Sequence, residues 1–332
     1  MKRRTLLQFT SAILVAPHAM AQPGNKVHRV GFVATTSPLA EISGSDPANP
    51  FVRAFVHGLR DRGYVQGKNL ALEMRTLEGK PERLEAFMAD FVRLRTEVVF
   101  VPTSLLVPPA HKAAPNMPIV GLVNPVHLVR AGLAQSHGRP GGMITGVSVD
   151  VDELVDAKRL ELFIELAPRA KRIAFLGQRD EWERPYVANM RATAQRLGRT
   201  VVHVESGQGD FASAFSRLRE ERVDAFMVER TPRAYGRRHD IGRLALSSGL
   251  PGSCAQAELV DLGCLMSYSP DNNDLARRLS AYVDKILKGT KPGDLPIEAP
   301  TKFELVINAK TAKALGLAIP QSILLRADRL IE

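Results

Sequence analysis

The stretch Val98–Pro125, VVFVPTSLLVPPAHKAAPNMPIVGLVNP, contains the repeating unit of the whole chain. Val98–Val101 is a continuous apolar run that stops at Pro102-Thr103-Ser104, and Ile119–Val123 is a second one that stops at Asn124-Pro125. Runs this short, apolar throughout rather than alternating, belong to strands buried on both faces, as in a parallel sheet covered by helices. Toward the N-terminus the same pattern recurs in Val27–Ala34 (VHRVGFVA), which ends in the turn Thr35-Thr36-Ser37-Pro38, and in Leu70–Leu77. Phe51–Arg62 and Pro81–Arg95 read as amphipathic helices, the second with a proline in its first turn.

Past Gly138–Gly142, a glycine-rich turn, Ile144–Val149 reads as a strand and Asp152–Leu166 as a long helix. A second series follows, with strands at Arg172–Leu176, Thr200–Val204, Val223–Val228 and Pro251–Ala255. Helices near Pro185–Leu197, Phe211–Arg219 and Tyr235–Ser248 separate them. Gly263–Ser269 adds a strand and Asn272–Leu287 a helix, and Lys288–Pro300 crosses to Lys302–Asn308 and a last short helix. Two such series meeting near residue 150 predict an α/β fold of two Rossmann-like, doubly wound lobes with parallel sheets. The expected division is 27–149 plus 262–290 for lobe 1 and 150–261 plus 291–332 for lobe 2.

The first 22 residues, MKRRTLLQFTSAILVAPHAMAQ, read as a cleavable export signal. Lys2, Arg3 and Arg4 form its positive end, an apolar stretch follows, and Ala19-Met20-Ala21 supplies the cleavage pattern before Gln22. That stretch is shorter than the roughly 20 residues a membrane-spanning helix needs. Residues 1–21 are thus expected to be removed and the mature protein to be periplasmic. Arg3-Arg4-Thr5-Leu6-Leu7-Gln8 loosely resembles a twin-arginine signal, which leaves the export route open. No Cys follows the cleavage pattern, so no lipid anchor is expected.

Net charge is +10, which falls to +7 without the three basic residues of the signal. The Lys and Arg are scattered, as on a solvated basic surface, and an exported chain does not meet nucleic acid. The two cysteines, Cys254 and Cys264, are either bridged in an oxidising compartment or two small buried apolar residues. The sequence lacks a G-x-S-x-G elbow, an H-E-x-x-H pair, a P-loop and a post-strand G-x-G-x-x-G, and the eight His show no ligand spacing. No catalytic residue, metal site or cofactor is therefore expected.

In doubly wound sheets ligands bind beyond the carboxyl ends of the strands. Candidate ligand contacts there are Thr36 and Ser37, Thr103 and Ser104, and Asn124, each equally suited to capping a helix or shaping a turn. In the second series the charged loop Gln178-Arg179-Asp180-Glu181-Trp182-Glu183-Arg184 follows a strand. Trp182 could close over an aromatic ligand or pack against the lobe's helices, and Tyr186 and Tyr268 are similar candidates. Arg179, Arg184, Arg230 and Arg233 occupy strand-end loops, and an Arg fork binds a carboxylate through two hydrogen bonds. Glu229, with Thr231 beside it, and Glu258 leave room for an ammonium group.

Phe55–Asn69 (FVHGLRDRGYVQGKN), Gly141–Val149 (GGMITGVSV), Gly263–Asp271 (GCLMSYSPD) and Lys302–Glu332 (KFELVINAKTAKALGLAIPQSILLRADRLIE) closely resemble the ABC-transporter substrate-binding protein family, in particular relatives of its tryptophan/tyrosine-type binding proteins. The resemblance implies a type I periplasmic binding fold, with three crossover strands at a hinge and a ligand cleft between the lobes. It implies a small-molecule ligand, an inner-membrane ABC permease as partner, and a soluble monomer. The segment Thr35–Pro50 is longer than usual for that family, and Arg230 follows the acidic position Glu229. A periplasmic sensing component, or less readily an enzyme on the same scaffold, are the alternative readings.

Overall fold

A computed structural model describes residues 26–148, 155–207 and 209–332. The export signal of residues 1–21 and the expected lobe boundary at 149/150 lie outside the described residues. The first sheet has five parallel strands: β1 (His28–Ala34), β2 (Leu70–Thr76), β3 (Val98–Val101), β4 (Ile119–Val123) and β5 (Ile144–Ser148), in the order β2-β1-β3-β4-β5. The second has seven: β6 (Arg172–Gly177), β7 (Thr200–Glu205), β8 (Ala225–Val228), β9 (Gly252–Cys254), β10 (Met266–Pro270), β11 (Phe303–Asn308) and β12 (Arg329–Ile331). Their order is β12-β11-β10-β9-β8-β6-β7, and β11 runs antiparallel to β10. Both lobes are thus α/β with doubly wound sheets.

Each sheet is buried on both faces, which explains the unbroken apolar runs. In the first lobe one face packs Phe32, Phe55 and Phe100 with Leu59, and the other packs Met88 and Phe91 with Val99 and Val101. In the second, Phe163, Phe175 and Met190 fill one side and Phe215, Phe226 and Ile241 the other. Turns obey the expected chemistry: Asn49, Asn124, Thr231, Asp271 and Asn308 each accept a backbone N–H at the start of a helix.

The crossings differ from the expected division at two places. Met266–Pro270, placed with lobe 1 by sequence, is β10 of the second sheet, bonded to β9 and β11. The helix after it, Asn272–Leu287, packs against the first-lobe helix Pro50–Asp61, so the chain crosses at Pro270–Asp271. Residues 291–298, expected with lobe 2, remain on lobe 1. There Leu295 and Ile297 enter first-lobe cores, Thr145 Oγ1 donates to Leu295 O at 2.8 Å, and Ile297 N donates to His137 O at 2.7 Å. Local pattern identified these strands and helices correctly but does not encode which sheet an edge will accept.

Candidate functional site

The carboxyl ends of the two sheets meet. After β1, Thr36 Oγ1 donates to Pro232 O at 3.4 Å, in the helix Pro232–Gly236 beyond β8. Asn49 Nδ2 donates to the Tyr235 hydroxyl at 3.2 Å, and the Arg238 guanidinium meets Glu41 Oε2 at 2.8 Å. All three contacts join the long segment Thr35–Pro50 of lobe 1 to one helical region of lobe 2, closing the cleft at that side.

On the first-lobe wall, Ser37 is buried and its Oγ accepts from Asn49 Nδ2 at 3.2 Å, so it braces the loop. Thr103 and Ser104 are partly exposed beyond β3, and neither side chain makes a hydrogen bond among the described residues. Asn124 caps the helix Pro125–Arg130, its Oδ1 accepting from His127 N at 2.8 Å.

On the second-lobe wall Glu229 is fully buried. Its carboxylate accepts from Gln178 N and from Thr231 Oγ1, both at 2.9 Å, and so ties the loop after β6 to the loop after β8. Burial pushes this carboxyl up, against the pull of the two hydrogen bonds. A side chain at Gly177 would place its Cβ 2.8 Å from Glu229 Oε2, so the carboxylate lies hard against that backbone. Thr231 also caps the helix at Ala234 N. Glu229 and Thr231 thus fasten the loops after β6 and β8 to each other within the lobe.

Beneath β8 lies a buried charge cluster. Asp156 and Arg159, on the helix Val155–Leu166, are 2% and 1% exposed and pair at 3.0 Å, and Asp156 Oδ2 reaches the Arg230 guanidinium at 3.4 Å. Arg159 Nη2 donates to Val228 O at 3.3 Å, while its Nε and Nη1 are buried without a hydrogen-bond partner. Burial drives this guanidinium downward in pKa, with Asp156 opposing. Arg230 also lies 5.9 Å from the centre of the Tyr186 ring, whose hydroxyl donates to Glu181 Oε2 at 2.6 Å. Arg184 pairs with the same Glu181 at 3.4 Å. The sequence reading found Arg230 and Tyr186 but missed Asp156 and Arg159. The available signal was their spacing: Asp156, Arg159, Leu160 and Phe163 share one helical stripe, so the two charges extend an apolar face.

Trp182, in the loop after β6, packs between His203, at 5.1 Å, and Arg191, at 4.6 Å, with Phe175 at 5.9 Å. Tyr268 stands mid-strand in β10, stacked on Phe303 at 5.8 Å. Arg179 and Asp180 are exposed, with no side-chain bond among the described residues. Cys254 and Cys264 are bridged, Cα atoms 6.3 Å apart, which settles the open alternative. The bridge closes the loop holding Gln256 and Glu258, whose Oε1 and Oε2 are buried without partners. Burial and nearby Glu258 push the Tyr235 hydroxyl up to about 12.

Three comparisons with known proteins agree with this architecture. A family model described as ABC transporter substrate binding protein matches residues 42–331. The tyrosine-binding protein of Clostridioides difficile strain R20291 is 25% identical over 285 residues, 85% of this chain and 80% of that protein. An ABC domain from Streptococcus pneumonia solved with L-Trp superposes with a TM-score of 0.77 at 22% identity, covering 92% of this chain and all of that one. A ligand-free, open substrate-binding protein with adhesive properties from Clostridium difficile gives 0.64 at 21% identity, over 92% and 99% of the two chains. The structural likenesses show a shared two-lobed fold.

Proposed function

This chain belongs to the ABC transporter substrate-binding protein family, and from that premise we propose that it captures a small amino-acid-like solute between its lobes, in the periplasm, and hands it to an inner-membrane permease. The observation that carries the ligand class is the cluster beneath β8: among the described residues two guanidinium groups, Arg159 and Arg230, face one carboxylate, Asp156. A buried excess of positive charge with unused N–H groups favours an incoming carboxylate. Thr103 and Ser104 offer uncommitted hydroxyls from the opposite lobe, suited to the remaining polar atoms of such a ligand. The relatives named for tyrosine and solved with L-Trp make aromatic amino acids the first compounds to test.

The test is calorimetry of the purified protein with tyrosine, tryptophan and phenylalanine beside tyramine and tryptamine. One-to-one binding of at least one amino acid, lost in the amines and weakened by Arg230→Ala, supports the reading. Saturable binding of the amines tyramine or tryptamine alone, or chemical turnover of a bound compound, overturns it. Export is checked by sequencing the N-terminus of the protein recovered from the periplasm, expected near Gln22. Delivery is checked by comparing uptake of the labelled ligand in cells with and without the gene.

A further inference from the structure

The contacts that join the lobes are assembled as two prefabricated halves. On lobe 1, Asn49 N donates to Glu41 O at 2.8 Å, so the two residues that reach across are tied to each other. Asn49 is further fixed because its Oδ1 caps the helix Pro50–Asp61 through Val52 N at 3.1 Å and its Nδ2 also reaches Ser37. On lobe 2, the Arg238 guanidinium lies 4.8 Å from the centre of the Tyr235 ring, and its Nη1 donates to Tyr235 O at 3.4 Å. Each half therefore presents its pair in a fixed geometry before the other arrives, which lowers the side-chain entropy lost on contact.

The two halves are complementary in charge and hydrogen bonding. Arg238 and Glu41 are 13% and 31% exposed, less solvated than an ordinary surface pair. None of these four side chains belongs to the charge cluster assigned above to the ligand. The segment that supplies Glu41 and Asn49 is the one that directly follows β1.

We propose that Glu41, Asn49, Tyr235 and Arg238 are positioning residues that latch the lobes together, so that closure is favoured by the protein itself and not by ligand alone. The proposal rests on the two-lobed fold and not on the identity of the ligand. A partly exposed pair shifts the open–closed equilibrium by on the order of threefold to fivefold, so two pairs together shift it toward closure by roughly tenfold to twenty-five-fold.

The experiment is small-angle X-ray scattering of ligand-stripped protein, which needs no ligand and so fails independently of the function proposed above. Glu41→Arg and Arg238→Glu each set like charges across the gap and are expected to increase the radius of gyration. The double exchange Glu41→Arg/Arg238→Glu is expected to restore the compact profile. Tyr235→Phe, which removes the hydroxyl that Asn49 meets, is expected to give a smaller increase. Circular dichroism and thermal melts establish that each variant folds. Single reversals that scatter as the wild type does overturn the latch, and a double exchange that stays expanded overturns the pairing of Glu41 with Arg238.

Discussion

The Trp182 indole lies parallel to the His203 imidazole, ring centroids 5.1 Å apart and planes 9° apart, with the Arg191 guanidinium also over the indole at 4.6 Å. This is the single tryptophan of the chain, and it cements the short helix Arg179–Trp182 to the edge strand β7. Trp182→Ala is expected to lower unfolding stability by about 2 kcal/mol, as loss of a partly buried aromatic does, while leaving ligand affinity unchanged. Urea denaturation and calorimetry check the two halves of that expectation. Weakened binding without destabilisation would place the indole at the ligand after all.

The cluster of Asp156, Arg159 and Arg230 makes the strongest stability prediction. Asp156→Asn removes the carboxylate that serves both cations and leaves buried positive charge without a partner, at a cost of about 3–5 kcal/mol. Replacing the pair together, Asp156→Leu with Arg159→Met, removes both charges and is expected to cost far less. Urea midpoints of the two variants, measured side by side, give the comparison.

Glu229 sets a pH dependence of definite sign. Its carboxyl is raised by burial above the ordinary 4.5, so between that value and its folded pKa the folded chain holds more proton than the unfolded one. Stability from this group is therefore present at low pH and lost as pH rises through the raised pKa. Glu229→Gln keeps a neutral group there and an acceptor for Thr231. Its urea midpoint is expected to decline less than the wild type's from about pH 4 to pH 8, and an identical decline refutes the assignment.

The bridge between Cys254 and Cys264, ten residues apart, closes the loop that holds Gln256 and Glu258. Cys254→Ser/Cys264→Ser is expected to lose about 2–3 kcal/mol through the added freedom of the unfolded chain. The same shift should follow from reductant added to the wild type under denaturing conditions, and reductant should leave the double variant unmoved.

Gly236 abuts Thr36 of the other lobe, where a Cβ would lie 3.1 Å from the Thr36 Cβ. Gly236→Leu is expected to wedge the lobes apart and weaken ligand binding several-fold with little change in melting temperature. Calorimetry of this variant beside Gly236→Ala, a smaller wedge, should show a graded effect.

The sequence by itself determined the two series of strands and helices, because burial on both faces writes a continuous apolar run that needs no partner to be recognised. The cap that Asn124 forms at the end of β4 reduces to that same local chemistry of strand ends. The tertiary structure alone decided which sheet receives Met266–Pro270, that Trp182 stacks on His203, and that Glu229 is enclosed by its own lobe. It also brought Asp156 and Arg159 under Arg230, and Glu41 and Asn49 against Arg238 and Tyr235, pairs separated by dozens to nearly two hundred positions. Such meetings depend on edge pairing and lobe closure, which are fixed by the summed packing of the whole chain and leave no mark in any local stretch.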